Sequence, residues 1–71
     1  MTRAEHLAWA KKRALEYVEL GDLPNAVVSM VSDLGKHPGF QNPGTRMACS
    51  LGLLEIAHGP EAVRHWIEGF N

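Results

Sequence analysis

The chain has 71 residues, of which 45% are hydrophobic, and a formal net charge of −1, which together exclude a second domain and a disordered chain. Seven basic residues against eight acidic ones leave no excess of cations for binding phosphates, and the single cysteine excludes an internal disulfide. No apolar run reaches the roughly 18 residues that a membrane span needs, and no secretory signal follows Met1, so we expect a soluble cytoplasmic protein.

The first predicted helix spans about residues 3–20. Thr2 and Glu5 have the spacing of a capping box, in which a hydroxyl and a carboxylate bind free backbone amides at the start of a helix. Gly21 follows the last helical residue and suits the left-handed conformation that closes many helices. The predicted core face of this helix is lined by Leu7, Ala14, Leu15 and Val18, with Ala4, Ala8 and Ala10.

The second predicted helix spans about residues 23–34. Asp22 is suited to cap its start, and Pro24 is tolerated in a first turn. Its core face is predicted to hold Leu23, Ala26, Val27, Met30, Val31 and Leu34, and its solvent face Asn25, Ser29 and Ser32. Residues 37–44 contain two Pro-Gly pairs and are typical of a loop, with Phe40 at its tip.

Two further helices are predicted over about residues 45–57 and 60–70. The last one is amphipathic, with Val63, Trp66, Ile67 and Phe70 on one side. The third is apolar around nearly its whole circumference, with one stripe of Met47, Leu51 and Leu54 and another of Cys49, Leu53 and Ile56. Such a helix normally lies at the centre of a protein or at an oligomer contact. We therefore predict an all-α fold, a compact bundle of four short helices in a single domain over residues 1–71.

The first two helices resemble a single tetratricopeptide hairpin. That repeat has a small residue, Tyr, Gly, Ala, a large apolar residue and Pro at fixed positions. These positions are occupied here by Ala14, Tyr17, Gly21, Ala26, Met30 and Pro38. Two positions depart from the pattern, because Ala10 and Arg13 stand where the repeat has Trp and Leu. No second repeat follows, although such arrays usually need at least three.

The chain also resembles a group of short proteins encoded in bacteriophage and prophage genomes. The resemblance covers the first 38 residues and the last few. It is carried by Glu5–Trp9, Arg13–Tyr17, Gly21–Ala26, Ser32–Pro38 and Trp66–Asn71. It implies a phage origin, and hence the cytoplasm of a bacterial host cell, but it implies no chemistry.

Few residues have the pattern of a catalytic or metal site. His58 and His65, with Glu61 one turn before His65, are too few for a site that needs three or four converging ligands. Cys49 has no nearby base in sequence that would form a thiolate, so it is interpreted as a small hydrophobic residue. We therefore predict neither an enzyme nor a cofactor.

Lys11 interrupts the apolar face of the first helix, and two interpretations of it stay open. Either its stem lies along apolar surface with the ammonium group in water, or its buried charge pairs with a carboxylate, for which Glu55 is a candidate.

Surplus apolar surface is the strongest functional indication in the sequence. Trp9 and Leu20 cannot join the core face of the first helix, and Trp and Arg are frequent at contact hot spots. We therefore predict a partner-binding surface formed by Trp9, Arg13, Leu20 and Phe40. The alternative is that the Trp9 ring folds over its own helix or packs under the proline-rich loop.

The predicted function is a small non-enzymatic protein-interaction module, which binds either a second copy of itself or a host protein. The alternative is a small nucleic-acid-binding regulator, because Arg3, Lys11, Lys12 and Arg13 lie on the first helix. Acidic residues share that helix and the isoelectric point is near 6.4, so nucleic acid is the less favoured partner.

Overall fold

Four α-helices joined by three short connections form the fold in the computed structural model, which describes residues 1–71. The helices are α1 (Arg3–Glu19), α2 (Leu23–Leu34), α3 (Pro43–Ile56) and α4 (Pro60–Glu68), with a 3-10 turn at Pro38–Phe40 between α2 and α3. There is no strand, and every helix boundary lies within two residues of its predicted place, so the all-α bundle is confirmed. None of these helices is long and apolar enough to cross a membrane.

The predicted capping residues define the ends of α1 and α2. The backbone amide of Glu5 donates to the Thr2 hydroxyl over 3.1 Å, and the Thr2 amide donates to the Glu5 carboxylate over 3.0 Å. Gly21 has a φ of 76°, which residues with a Cβ rarely adopt, and Asp22 accepts from the backbone amide of Asn25. Helix α1 therefore turns directly into α2, and the two form an antiparallel hairpin.

Helix α3 begins two residues earlier than the sequence pattern predicts. Pro43 occupies its first turn, and the side chain of Asn42 accepts a hydrogen bond of 2.9 Å from the backbone amide of Thr45. The Asn-Pro-Gly segment therefore starts a helix where a loop was expected. The reason is that proline is favoured in the first turn, where its missing N–H group costs nothing.

The hydrophobic core lies between α1, α2 and α4. It consists of Ala10, Ala14, Val18, Ala26, Val27, Met30, Leu34, Phe40, Val63, Ile67 and Phe70. Ala14 and Ala26 are fully buried, and their small side chains allow α1 and α2 to approach closely. The predicted core face of α4 is confirmed, since Val63 and Ile67 are fully buried and Trp66 packs against the core.

Helix α3 is attached to this core at its edge. Gly52 is its only buried residue, and the indole ring of Trp66 lies directly over it. The indole N–H group of Trp66 donates to the Ala48 carbonyl over 2.8 Å. The apolar circumference of α3 allows either a central position or an oligomer contact. A central position is excluded, because most of α3 faces outward.

The orientation of α2 differs from the prediction. Ser29 and Asp33 are buried on the side that faces α1, whereas Val31 is exposed on the side that faces α3. The predicted assignment of Ser29 to solvent is therefore wrong. The physical reason is that Asp33 is paired with cations, so this polar edge of α2 can be buried at low cost.

Candidate functional site

The Trp9 ring, the centre of the predicted partner-binding surface, is partly buried by its own chain. Its nearest aromatic neighbour is the ring of His6, with 5.3 Å between the centroids. The guanidinium of Arg13 lies 4.9 Å from the indole centroid and the ammonium of Lys36 lies 5.8 Å from it. Because cations are attracted to the face of an indole, these contacts hold the ring against α1 and the end of α2. The ring is therefore partly buried over its own helix, in agreement with the alternative interpretation of Trp9.

The carboxylate of Asp33 joins the two cations that contact Trp9. It accepts a hydrogen bond of 2.8 Å from Arg13 and one of 3.1 Å from Lys36, while its side chain is almost completely buried. The hydroxyl of Ser29 lies 3.5 Å from the same carboxylate. No prediction from the sequence included Asp33, although the i+3 spacing of Asp33 and Lys36 is a signal for such a pair.

The proline-rich segment predicts Phe40 at an exposed loop tip. This prediction is wrong. The side chain of Phe40 is only 3% exposed and belongs to the core, with the guanidinium of Arg3 over the ring at 4.3 Å. The ring is buried because the segment folds into a 3-10 turn that directs it inward.

Leu20 is 79% exposed at the end of α1, so it does match its prediction of an exposed apolar residue. The other three predicted residues differ from it. Phe40 is buried, Trp9 is partly buried, and Arg13 pairs with Asp33 and lies over the Trp9 ring. The four residues do not form one continuous apolar surface. A contact between a partner and Trp9, Arg13 or Leu20 stays a prediction.

Lys11 follows the first of its two interpretations. Its side chain is partly buried, and its ammonium group donates to the backbone carbonyl of Glu68 over 3.1 Å, at the end of α4. It forms no ion pair with Glu55. A cation is favourable at that place because the carbonyl groups at the end of a helix carry partial negative charge.

The residues with potential for metal binding or nucleophilic chemistry are dispersed. His58, Glu61 and His65 are all exposed, and no group of three metal-binding side chains is present anywhere in the chain. Cys49 is partly buried, and burial raises the pKa of its thiol, so the reactive thiolate is disfavoured.

The largest surplus of apolar surface lies on α3. Three residues on one stripe of this helix have large exposed fractions: Met47 with 70%, Leu51 with 49% and Leu54 with 62%. We call these three residues the α3 stripe. Their periodicity was visible in the sequence, but their exposure was not, because the pattern did not distinguish a central helix from an outer one.

The distribution of charge separates this surface from the rest of the molecule. Six of the eight exposed residues on α1 are charged, whereas Arg46 is the only charged residue among the exposed residues of α2 and α3. Monomeric proteins rarely expose a continuous apolar patch larger than about 300–600 Å². An apolar surface with so little charge is typical of a contact with another molecule.

An apolar groove lies beside the α3 stripe, between α2 and α3. Its volume is about 740 Å³, and its walls include Val27, Val28, Val31, Leu34, Phe40, Cys49 and Leu53. Arg46 lies at its rim with the hydroxyl groups of Ser32, Thr45 and Ser50. The groove therefore combines an apolar interior with a single cation.

Comparison of the chain with protein families, with characterised proteins and with solved structures found no match.

Proposed function

We propose that this protein is a small, non-enzymatic interaction module that associates with a second copy of itself through the exposed face of α3. The observation that carries the proposal is the α3 stripe, three large apolar side chains that remain 49–70% exposed. A bundle of this size gains stability when it buries such residues in a dimer.

The α3 stripe is compatible with a two-fold symmetric contact. In an antiparallel pair of α3 helices with the axis near Leu51, Met47 of each copy would lie beside Leu54 of the other. Such a contact is self-complementary, as two-fold symmetry requires. The two Arg46 side chains would be separated by about 14 Å along the helices, given the rise of about 1.5 Å per residue. This exceeds the screening length of about 10 Å at 0.1 M salt, so their repulsion is small.

The available area also supports a second copy as the partner. A stable interface buries about 800 Å² on each partner, which is roughly a fifth of the 4397 Å² of this chain. The α3 stripe is 49–70% exposed and contains no charged residue. A second copy presents a surface of the same size and composition.

The resemblance to phage-encoded proteins extends this proposal. A phage-encoded chain acts in the cytoplasm of the bacterial host, where the same face is also available to a host protein. The alternative of a nucleic-acid-binding regulator has less support, because Arg13 and Lys36 share an ion pair with Asp33 and Arg64 is paired with Glu19.

Sedimentation velocity over a range of concentrations tests the proposal. We expect the wild-type mass to rise from one chain to two, and Leu54→Asp to remain monomeric at every concentration. Leu20→Asp is the matched control, since Leu20 is an exposed leucine at the end of α1, with 79% exposure against 62% for Leu54. It should behave like the wild type.

Two results would contradict the proposal. One is a wild-type chain that stays monomeric at the highest concentration. The other is dissociation by Leu20→Asp but not by Leu54→Asp, which would assign the contact to the surface of Trp9, Arg13 and Leu20.

A further inference from the structure

The groove between α2 and α3 has the dimensions of a binding site for a small molecule. Its volume of about 740 Å³ lies within the range of about 300–1,000 Å³ that is usual for such sites. Val31, Leu34 and Leu53 supply apolar walls on both sides, and no acidic side chain lines it. The α3 stripe lies outside this lining, so the groove is a separate feature.

Arg46 gives the groove a charge preference. The other three arginines each donate to an acceptor within the chain: Arg3 to the Asn71 carbonyl, Arg13 to Asp33 and Arg64 to Glu19. Arg46 donates to none, and it is the only ionised side chain that lines the groove. A guanidinium group matches the geometry of a carboxylate, to which it can donate two parallel hydrogen bonds.

We propose that the groove binds a linear apolar carboxylate of the medium-chain fatty-acid type. The hydrocarbon chain lies between α2 and α3 against Val31, Leu34 and Leu53, and the carboxylate pairs with Arg46 at the rim. Burial of the chain supplies most of the affinity, at about 0.8 kcal/mol for each buried methylene group. Arg46 determines the preference for an anion. This inference goes beyond self-association and does not depend on it.

The probe for the test is dodecanoate, held below the concentration at which it forms micelles. Titration calorimetry measures its affinity, and the rate of Cys49 alkylation reports where it binds, because Cys49 lines the groove. All titrations use the Leu54→Asp background, in which we expect no self-association. The test of dodecanoate binding is therefore separate from the test of the proposed dimer. Leu54 does not line the groove.

The matched comparison is between Arg46→Gln and Lys12→Gln. Both remove one exposed cation that has no acceptor, but Lys12 lies on α1, away from the groove. We expect Arg46→Gln to weaken dodecanoate binding about tenfold or more, in line with the loss of a charged hydrogen bond. Lys12→Gln should leave the affinity unchanged. Dodecanol, which has the same chain without the charge, should bind both variants equally.

Several results would overturn the proposal. The first is the absence of dodecanoate binding, and the second is binding that leaves the rate of Cys49 alkylation unchanged. The third is an equal loss in Arg46→Gln and Lys12→Gln, which would indicate an effect of net charge alone. Equal affinity for dodecanoate and dodecanol, unaffected by Arg46→Gln, would indicate unspecific adsorption to apolar surface.

Discussion

Gly52 is the residue on which the attachment of α3 depends most directly. An alanine Cβ at this position would lie 2.5 Å from Cζ2 of the Trp66 ring. The ring has little freedom to move away, because its N–H group donates a hydrogen bond to the Ala48 carbonyl and the ring packs edge to face with Phe70. The absence of a side chain at residue 52 is therefore a packing requirement and not a matter of backbone conformation.

We expect Gly52→Ala to destabilise the protein by about 1–3 kcal/mol, the usual cost of overpacking a contact. Urea unfolding followed by circular dichroism measures the change. Gly35→Ala is the control, because a Cβ there would meet its nearest atom at an ordinary 3.5 Å. If the two substitutions have equal effects, the contact with Trp66 is not the cause.

Asp33 is the second residue whose loss should be costly. Arg13 and Lys36 donate to different oxygens of the Asp33 carboxylate. In Asp33→Asn one of these oxygens becomes an NH2 group, so the buried side chain can accept from only one of the two cations at these positions. We expect a loss of about 1–3 kcal/mol in the free energy of unfolding. Glu19→Gln breaks the exposed pair with Arg64 and should cost less than about 1 kcal/mol. Thermal unfolding of both variants compares the two pairs, and equal losses would contradict the importance of burial.

Among the helices, α1 has the most complete start, and that start is sensitive to pH. The hydrogen bonds from the Thr2 backbone and side chain lower the pKa of Glu5 below its usual 4.5. A lowered pKa in the folded state means that the charged carboxylate stabilises the fold at neutral pH. This contribution is lost as the pH falls through the folded-state pKa of Glu5.

We therefore expect wild-type protein to be more stable than Glu5→Gln at pH 7, and this difference to vanish as the solution is acidified below pH 4.5. Melting temperatures at a series of pH values measure it. Thr2→Ser keeps the hydroxyl and should retain the wild-type profile. A difference between wild type and Glu5→Gln that does not change with pH would contradict the role of the charge.

The extents of the helices could be predicted from sequence because each of their ends depends on local chemistry. Thr2, Gly21 and Asp22 act through atoms only a few residues away, so their roles follow from spacing alone. The position of α3 in the bundle could not be predicted, because all its faces are apolar and the contact that places it joins Gly52 to Trp66. The choice between the two interpretations of Trp9 could not be made from sequence for a similar reason, since Lys36 contacts the ring from the turn that follows α2.

At the scale of the whole molecule, charge is concentrated on α1 and α4 and is nearly absent from the exposed faces of α2 and α3. The individual residues of this division can be read from the sequence, but their arrangement on one side of the molecule required the packing of the helices. For this reason the proposed contact lies on the apolar surface of α3 and not on Trp9, Arg13, Leu20 and Phe40.

The reactivity of the Cys49 thiol measures how strongly this residue of the groove is buried. Burial raises the pKa of its thiol, so the thiolate fraction is lower in the folded protein at any pH below that value. We expect iodoacetamide to alkylate Cys49 severalfold more slowly at pH 8 in the folded chain than in urea. The difference between the two alkylation rates should become smaller as the pH rises. A cysteine introduced at the exposed Ser50 of a Cys49→Ser chain is the control, and equal rates would contradict the burial of Cys49.

The weak burial of α3, in which Gly52 is the only fully enclosed residue, also affects the motions of the protein. The other three helices share a continuous core, so the least costly partial unfolding separates α3 and leaves them in place. Amide protons in the middle of α3 would then exchange with deuterated solvent much faster than those of α2, which are released only when the whole molecule unfolds. A three-helix state with α3 detached is thus expected within the native ensemble, in equilibrium with the closed bundle.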